Sequence, residues 1–146
     1  MKRLFYAACV YLVLGLGSGM FYREFTKANH YTAADGFTQL SVVHTHVLTL
    51  GVIVPLIVLV LEKVFVLSRS RAFGWFFWLY NVGLVIAAGS MVANGMLHVL
   101  GEKTGPALAG IAGSGHIILT AGLVLLFVAL GKRVLAKPAA PAVPAA

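Results

Sequence analysis

Four apolar runs, at about 4–22, 40–61, 72–97 and 107–130, take up most of this 146-residue chain. Each is near or above the ~20 helical residues needed to cross a hydrocarbon core ~30 Å thick. A backbone inside that core must satisfy its own hydrogen bonds, and runs of this length do so as α-helices. The spacing predicts an all-α membrane protein whose four transmembrane helices form an up-down-up-down bundle over residues 1–134, with the lipid bilayer as its surroundings. With 60% hydrophobic and 10% charged residues, no soluble catalytic domain remains. Any chemistry must sit in the bundle or its short loops.

The formal net charge of +7 would point to nucleic acid in a soluble protein, but here its distribution matters more. In a four-span arrangement Lys2, Arg3, Lys63, Arg69, Arg71, Lys132, Arg133 and Lys137 fall on one side, opposed only by Glu62. Arg23, Lys27 and Lys103 on the other side are balanced by Glu24, Asp35 and Glu102. The positive-inside rule then makes both termini cytoplasmic, in a multi-pass protein of the cell membrane, with no nucleic-acid partner. The last residues, 135–146, read KPAAPAVPAA after Leu135 and Ala136, and Pro138, Pro141 and Pro144 predict a disordered cytoplasmic tail.

Lys2 and Arg3 ahead of an apolar stretch and Gly17-Ser18-Gly19 also resemble a secretory signal peptide. The run continues to Tyr22, however, and the first half of the chain matches the second at an offset near 70 residues, which favours a retained helix. Tyr11 corresponds to Tyr80, Met20 to Met91, His46 to His116 and Lys63 to Arg133. The bundle is thus expected to be two repeated hairpins about a pseudo-twofold axis along the membrane normal. Cys9 is the only cysteine, so no intrachain disulfide can form.

Four of the five histidines, His44, His46, His98 and His116, lie at the end away from the basic loops, where the chain is expected to face outward. Ionisable side chains are costly in hydrocarbon, so several at one depth point to a metal or haem site. His46 precedes Glu62 by 16 residues and His116 precedes Lys132 by 16. At 1.5 Å per residue both lie about 24 Å from the basic edge, roughly one turn below the opposite surface. The repeat would let them face each other across the bundle axis as axial ligands of a haem. His44 and His46 differ by two residues and so point about 200° apart, which suits two sites rather than one. His44, and His98 with Asn94 one turn before it, are candidates for a second haem or metal; His30 lies outside the membrane in the loop. Small residues around Gly15–Gly19, Ala87–Ser90 and Gly110–Gly115 leave volume at this end or serve close helix packing. Pro55 is expected to disturb the second helix at mid-membrane. Asn81 reads as glue between helices, and Trp75 and Trp78 as interfacial anchors.

The segment VVHTHVLTLG, carrying His44 and His46, resembles the histidine-bearing helix of the haem-copper oxidase catalytic subunit, where two histidines ligate two haems on either side of one helix. The resemblance stops there: this chain has far fewer spans and no adjacent histidine pair for a copper site, so oxygen reduction and proton pumping do not carry over. Along most of its length, including YREFTKANHYT and LSRSRAFGWFFWLYNVGL, the chain is similar to a small bacterial four-span membrane family of unknown function.

A haem here would be non-covalent, as haem b, because no Cys-x-x-Cys-His sequence is present. The expected function is a membrane b-type haem protein for electron transfer or for redox or gas sensing, with a redox partner and with homo-oligomerisation favoured by the small-residue faces. Copper or zinc held by the histidines without porphyrin, and an accessory subunit whose histidines only bond between helices, are the alternatives. The spans contain no acid apart from Glu62 at their edge, which disfavours a proton-coupled transporter. No nucleophile, base and carboxylate can be assembled for a hydrolase.

Overall fold

The computed structural model describes residues 1–136. Its four long helices are α1 (Lys2–Ala28), α2 (Leu40–Phe65), α3 (Arg71–Val99) and α4 (Pro106–Val134), all long and apolar enough to cross a membrane. They run past the apolar runs at most ends, because terminal turns remain helical in the interfacial zone where water again meets the backbone. The expected tail over 135–146 falls almost wholly on 137–146, outside the described residues. Successive helices pack on one another to give the up-down-up-down bundle, and the α3–α4 pair makes the most extensive contact.

Lipid is as apolar as leucine, so burial alone does not hold such helices together; close backbone approach does. Gly83 of α3 is packed so tightly that an added Cβ would strike the backbone of Leu119 and the carbonyl oxygen of Gly115. A Cβ on Gly115 would come within 2.8 Å of the Ala87 nitrogen, and one on Gly122 within 2.8 Å of the Tyr80 nitrogen. The first hairpin repeats this pattern with side chains: Gly15 receives Leu48, and Gly51 receives the ring of Tyr11. The pairs Gly15–Leu48 and Gly83–Leu119 hold comparable places, as do Tyr11–Gly51 and Tyr80–Gly122, with α1-to-α3 steps of 68 and 69 residues. The hairpins are related in their packing as well as their sequence.

These contacts also change the register of the repeat. Leu48 to Leu119 and Gly51 to Gly122 are both steps of 71 residues, whereas Lys63 to Arg133 is a step of 70. A π turn over Thr49–Ile53, within α2, supplies the extra residue. By the contact register His116 corresponds to Thr45, not to His46. The two histidines share a depth but occupy helix faces about 100° apart in the repeat.

The π turn has a chemical cause two residues beyond it. Pro55 has no N–H, so a carbonyl one turn earlier loses its donor. The Tyr80 hydroxyl of α3 donates to the Leu50 carbonyl at 2.8 Å, meeting that need from a neighbouring helix. Tyr80→Phe leaves this carbonyl unsatisfied and is expected to cost about 1–2 kcal/mol in a detergent-based unfolding titration. An unchanged midpoint would show that the bond contributes nothing. Beside it, Tyr11 donates to Asn81 Oδ1 at 2.9 Å, while the Asn81 amide donates to the Phe77 carbonyl. Asn81 thus joins α1 to α3, in the bonding role expected of it.

At the basic end the α2–α3 connection turns on Val66, a β-branched residue at φ 51°, a conformation that costs such a side chain energy. Glu62, 4% exposed, holds the turn by accepting the Ser68 amide at 2.7 Å, and the Val66 amide reaches the Glu62 carbonyl at 3.0 Å. Val66→Gly keeps these backbone bonds and removes the Cβ strain. It is expected to raise stability by about 1 kcal/mol, read as a higher melting temperature; a lower one would mean that the turn is not strained at this residue.

Candidate functional site

The histidine end is built on α2, α3 and α4 and closed from above by the α1–α2 loop. Thr38 fixes this loop: it is buried, and its hydroxyl donates to the Gly95 carbonyl at 3.0 Å. Gly95 lets the start of α2 approach, since a Cβ there would lie 2.5 Å from the Leu40 nitrogen. Earlier in the loop, the Asp35 carboxylate accepts both the amide and the hydroxyl of Thr32, at 2.7 and 2.8 Å. These two bonds hold the exposed Asp35 carboxyl below its usual titration range.

The histidines divide by the surroundings of their rings. His46 Nδ1 lies 3.1 Å from the Val42 carbonyl oxygen, and His116 Nδ1 lies 2.8 Å from that of Ala112. In each case the bond reaches back one helical turn to an acceptor, so Nδ1 must donate, and in the neutral ring Nε2 then presents its lone pair. Both side chains are exposed on the lateral surface. They do not face each other across the bundle axis, the geometry expected from an exact repeat. His46 lies in a shallow hollow with Thr45, Thr49 and Leu50 of its own helix.

His44 points the other way, as the two-residue spacing requires. It is half-buried against α1, where a Cβ on Gly19 would touch it at 3.7 Å, and its Nδ1 is buried without a hydrogen-bond partner among the described residues. No carbonyl fixes its tautomer. His98 is exposed and packs edge-on against Tyr31 of the loop, ring centroids 6.0 Å apart. It shares a surface hollow of about 310 Å³ with His30, Tyr31 and Asp35. Asn94 does not orient His98. It lines a different hollow with Gln39, Ser90 and Ala112.

That second hollow, about 360 Å³, lies between α2, α3 and α4 at the histidine end. α2 touches α4 through its Val54–Phe65 half, toward the basic end. Ala112 lines the hollow and His116 follows it by four residues, on the same face of α4. Gln39, just ahead of α2, also lines it, and His46 lies seven residues further along the chain. Neither His46 nor His116 lines this hollow; their rings lie exposed on the lateral surface of α2 and α4. Among the described residues no group of three or more His, Cys, Asp or Glu side chains is placed to hold a metal ion.

Sequence reading identified the histidines but not what surrounds them. The Tyr31–His98 contact and the Thr38 tether depend on how the 11-residue connection 29–39 folds back, which no local pattern encodes. The i−4 carbonyl bonds of His46 and His116 depend on side-chain rotamer alone.

Four helices long and apolar enough to cross a membrane, paired as two hairpins with four histidines toward one end, define a multi-pass helical membrane protein. The chain belongs to the DUF2871 family, described as a protein of unknown function, whose model matches residues 1–133. This agrees with the resemblance read from its sequence. No curated protein and no solved structure matches it.

Proposed function

We propose that the protein is a membrane b-type haem protein that carries electrons near the histidine end, with His46 and His116 as axial ligands. The observation that carries this reading is the shared state of two imidazoles, one on α2 and one on α4: each has Nδ1 bonded to a backbone carbonyl one turn back and Nε2 free. Metal-ligating histidines are held in this way, because the second bond sets the tautomer and raises ligand basicity. A porphyrin brings four nitrogen donors of its own and asks the protein for one or two more. A bare copper or zinc ion asks for three or four, and no such group exists among the described residues. The donor set therefore favours haem over an ion without porphyrin.

The apolar setting supports the same reading. A porphyrin edge is compatible with lipid, so imidazoles exposed on the lateral surface of the bundle suit a haem better than they suit a hydrated ion. His44 lacks the carbonyl bond and His98 lies at the outer rim, so neither is placed on this haem.

The test is an absorption spectrum of the purified protein after expression with added haem precursor. A reduced-state haem b spectrum with about one iron per chain is expected. Colourless, iron-free protein would refute the proposal, and stoichiometric copper or zinc in its place would favour the ion.

A further inference from the structure

We propose that a furrow between α1 and α3 at the basic end of the bundle is a binding site for one anionic phospholipid. Two hollows, of about 430 and 540 Å³, both include Arg3 and Phe77 in their walls and so join into one. The furrow starts at Lys2 and Arg3 and runs along α1 past Tyr6 and Ala7 to Val10. On α3 it spans Phe73 to Asn81, about 12 Å at the helical rise. At its far end the Tyr11–Asn81 hydrogen bond draws the two helices together.

The two ends of this furrow differ in chemistry. Lys2 and Arg3 are both exposed, and no lining residue is acidic. Glu62, the acid closest to them in the chain's layout, is buried and bonded to the Ser68 amide. The remaining length is apolar and aromatic, with Phe77 and the half-exposed Trp78 along one wall. A ligand that fits must join an anion at the membrane edge to a hydrocarbon chain that points inward. Basic pockets between transmembrane helices select anionic headgroups in this way. A phosphate between Lys2 and Arg3 places one acyl chain in the furrow, shielding aromatic faces that the protein leaves uncovered.

Gly74 makes the site testable. It is exposed, and a Cβ there would meet nothing within 4 Å, so a larger side chain enters the furrow without striking the fold. The protein is reconstituted in nanodiscs of mixed phosphatidylglycerol and phosphatidylethanolamine, released into mild detergent, and its retained lipid counted by native mass spectrometry. Wild type is expected to retain about one phosphatidylglycerol per chain in preference to phosphatidylethanolamine. Lys2→Gln with Arg3→Gln is expected to lower that preference about 30-fold, the order expected for two cations at a lipid surface. Gly74→Leu is expected to lower retention of both lipids while the melting temperature is kept. Equal retention of the two lipids by wild type overturns the proposal, as does an unchanged preference in the double variant. Full retention by Gly74→Leu would place the lipid elsewhere and overturn it too.

Discussion

Replacing Gly83 with leucine is expected to destroy the bundle. The Cβ at this position would meet the backbone of Leu119 and the carbonyl oxygen of Gly115, neither of which can rotate away as a side chain can. The α3–α4 pair makes the largest contact in the protein, and separating it to admit a leucine removes the close packing that holds membrane helices together. The expected loss is about 3 kcal/mol or more, seen as aggregated or protease-sensitive protein on detergent size exclusion. Gly89→Leu on the same helix is the control: Gly89 is exposed and has no neighbour within 4 Å, so this variant is expected to behave as wild type. A graded series separates steric overlap from glycine's backbone entropy. Gly115→Ala is expected to fall between the two, since its Cβ would lie 2.8 Å from the Ala87 nitrogen and 3.0 Å from a movable Ile86 methyl. If Gly83→Leu folds and melts with wild type, the helices are not held by this contact.

That prediction depends on knowing which face of α3 meets α4, and the amino-acid pattern could not supply it. Span number and length were legible because hydrocarbon thickness sets them directly. Helix faces were not, because a helix that is apolar all round carries little periodicity. Exposed Ile117, Val124 and Phe127 sit on α4 beside buried Leu119 and Leu126, and the apolar residues on the two faces are alike in kind. Glycines were the better signal. Gly83, Gly115 and Gly122 mark the interface, but so few residues among many small ones could not be sorted without coordinates: Gly17, Gly89, Gly110 and Gly113 have open space at the same position.

The repeat was legible in outline and wrong by one residue in detail, for a definite reason. Lys63 and Arg133 lie on the basic side of the π turn, and there a step of 70 holds. His46 lies on the other side, where the extra residue of the turn makes the step 71. An inserted residue inside a continuous helix leaves hydropathy unchanged, so sequence comparison alone reads straight through it. Pro55 signalled a disturbance at the right depth without indicating an insertion. The bond that answers it comes from Tyr80, 30 residues further on.

The corrected register bears on the histidines, whose removal is the other change with a large expected effect. Were His46 and His116 symmetry mates, either alanine variant would be expected to weaken haem equally. The contact register makes Thr45 the mate of His116, so the two imidazoles occupy inequivalent places in the bundle and the two losses are expected to differ in size. Each single variant is expected to convert a six-coordinate haem to a five-coordinate one, visible as a high-spin shift of the oxidised spectrum, with lower haem occupancy. The double variant is expected to fall below about a tenth of wild-type haem, since the remaining slot offers packing but no axial bond. Its fold is expected to survive, because both side chains are exposed and bond only within their own helices. His44→Ala and His98→Ala are the discriminating partners. Neither ring has its Nδ1 on a backbone carbonyl, and both are expected to retain the haem spectrum. Loss of haem in His44→Ala would move the ligand to the α1-facing side of α2 and refute the assignment to His46. Full haem in the double variant would refute the site altogether.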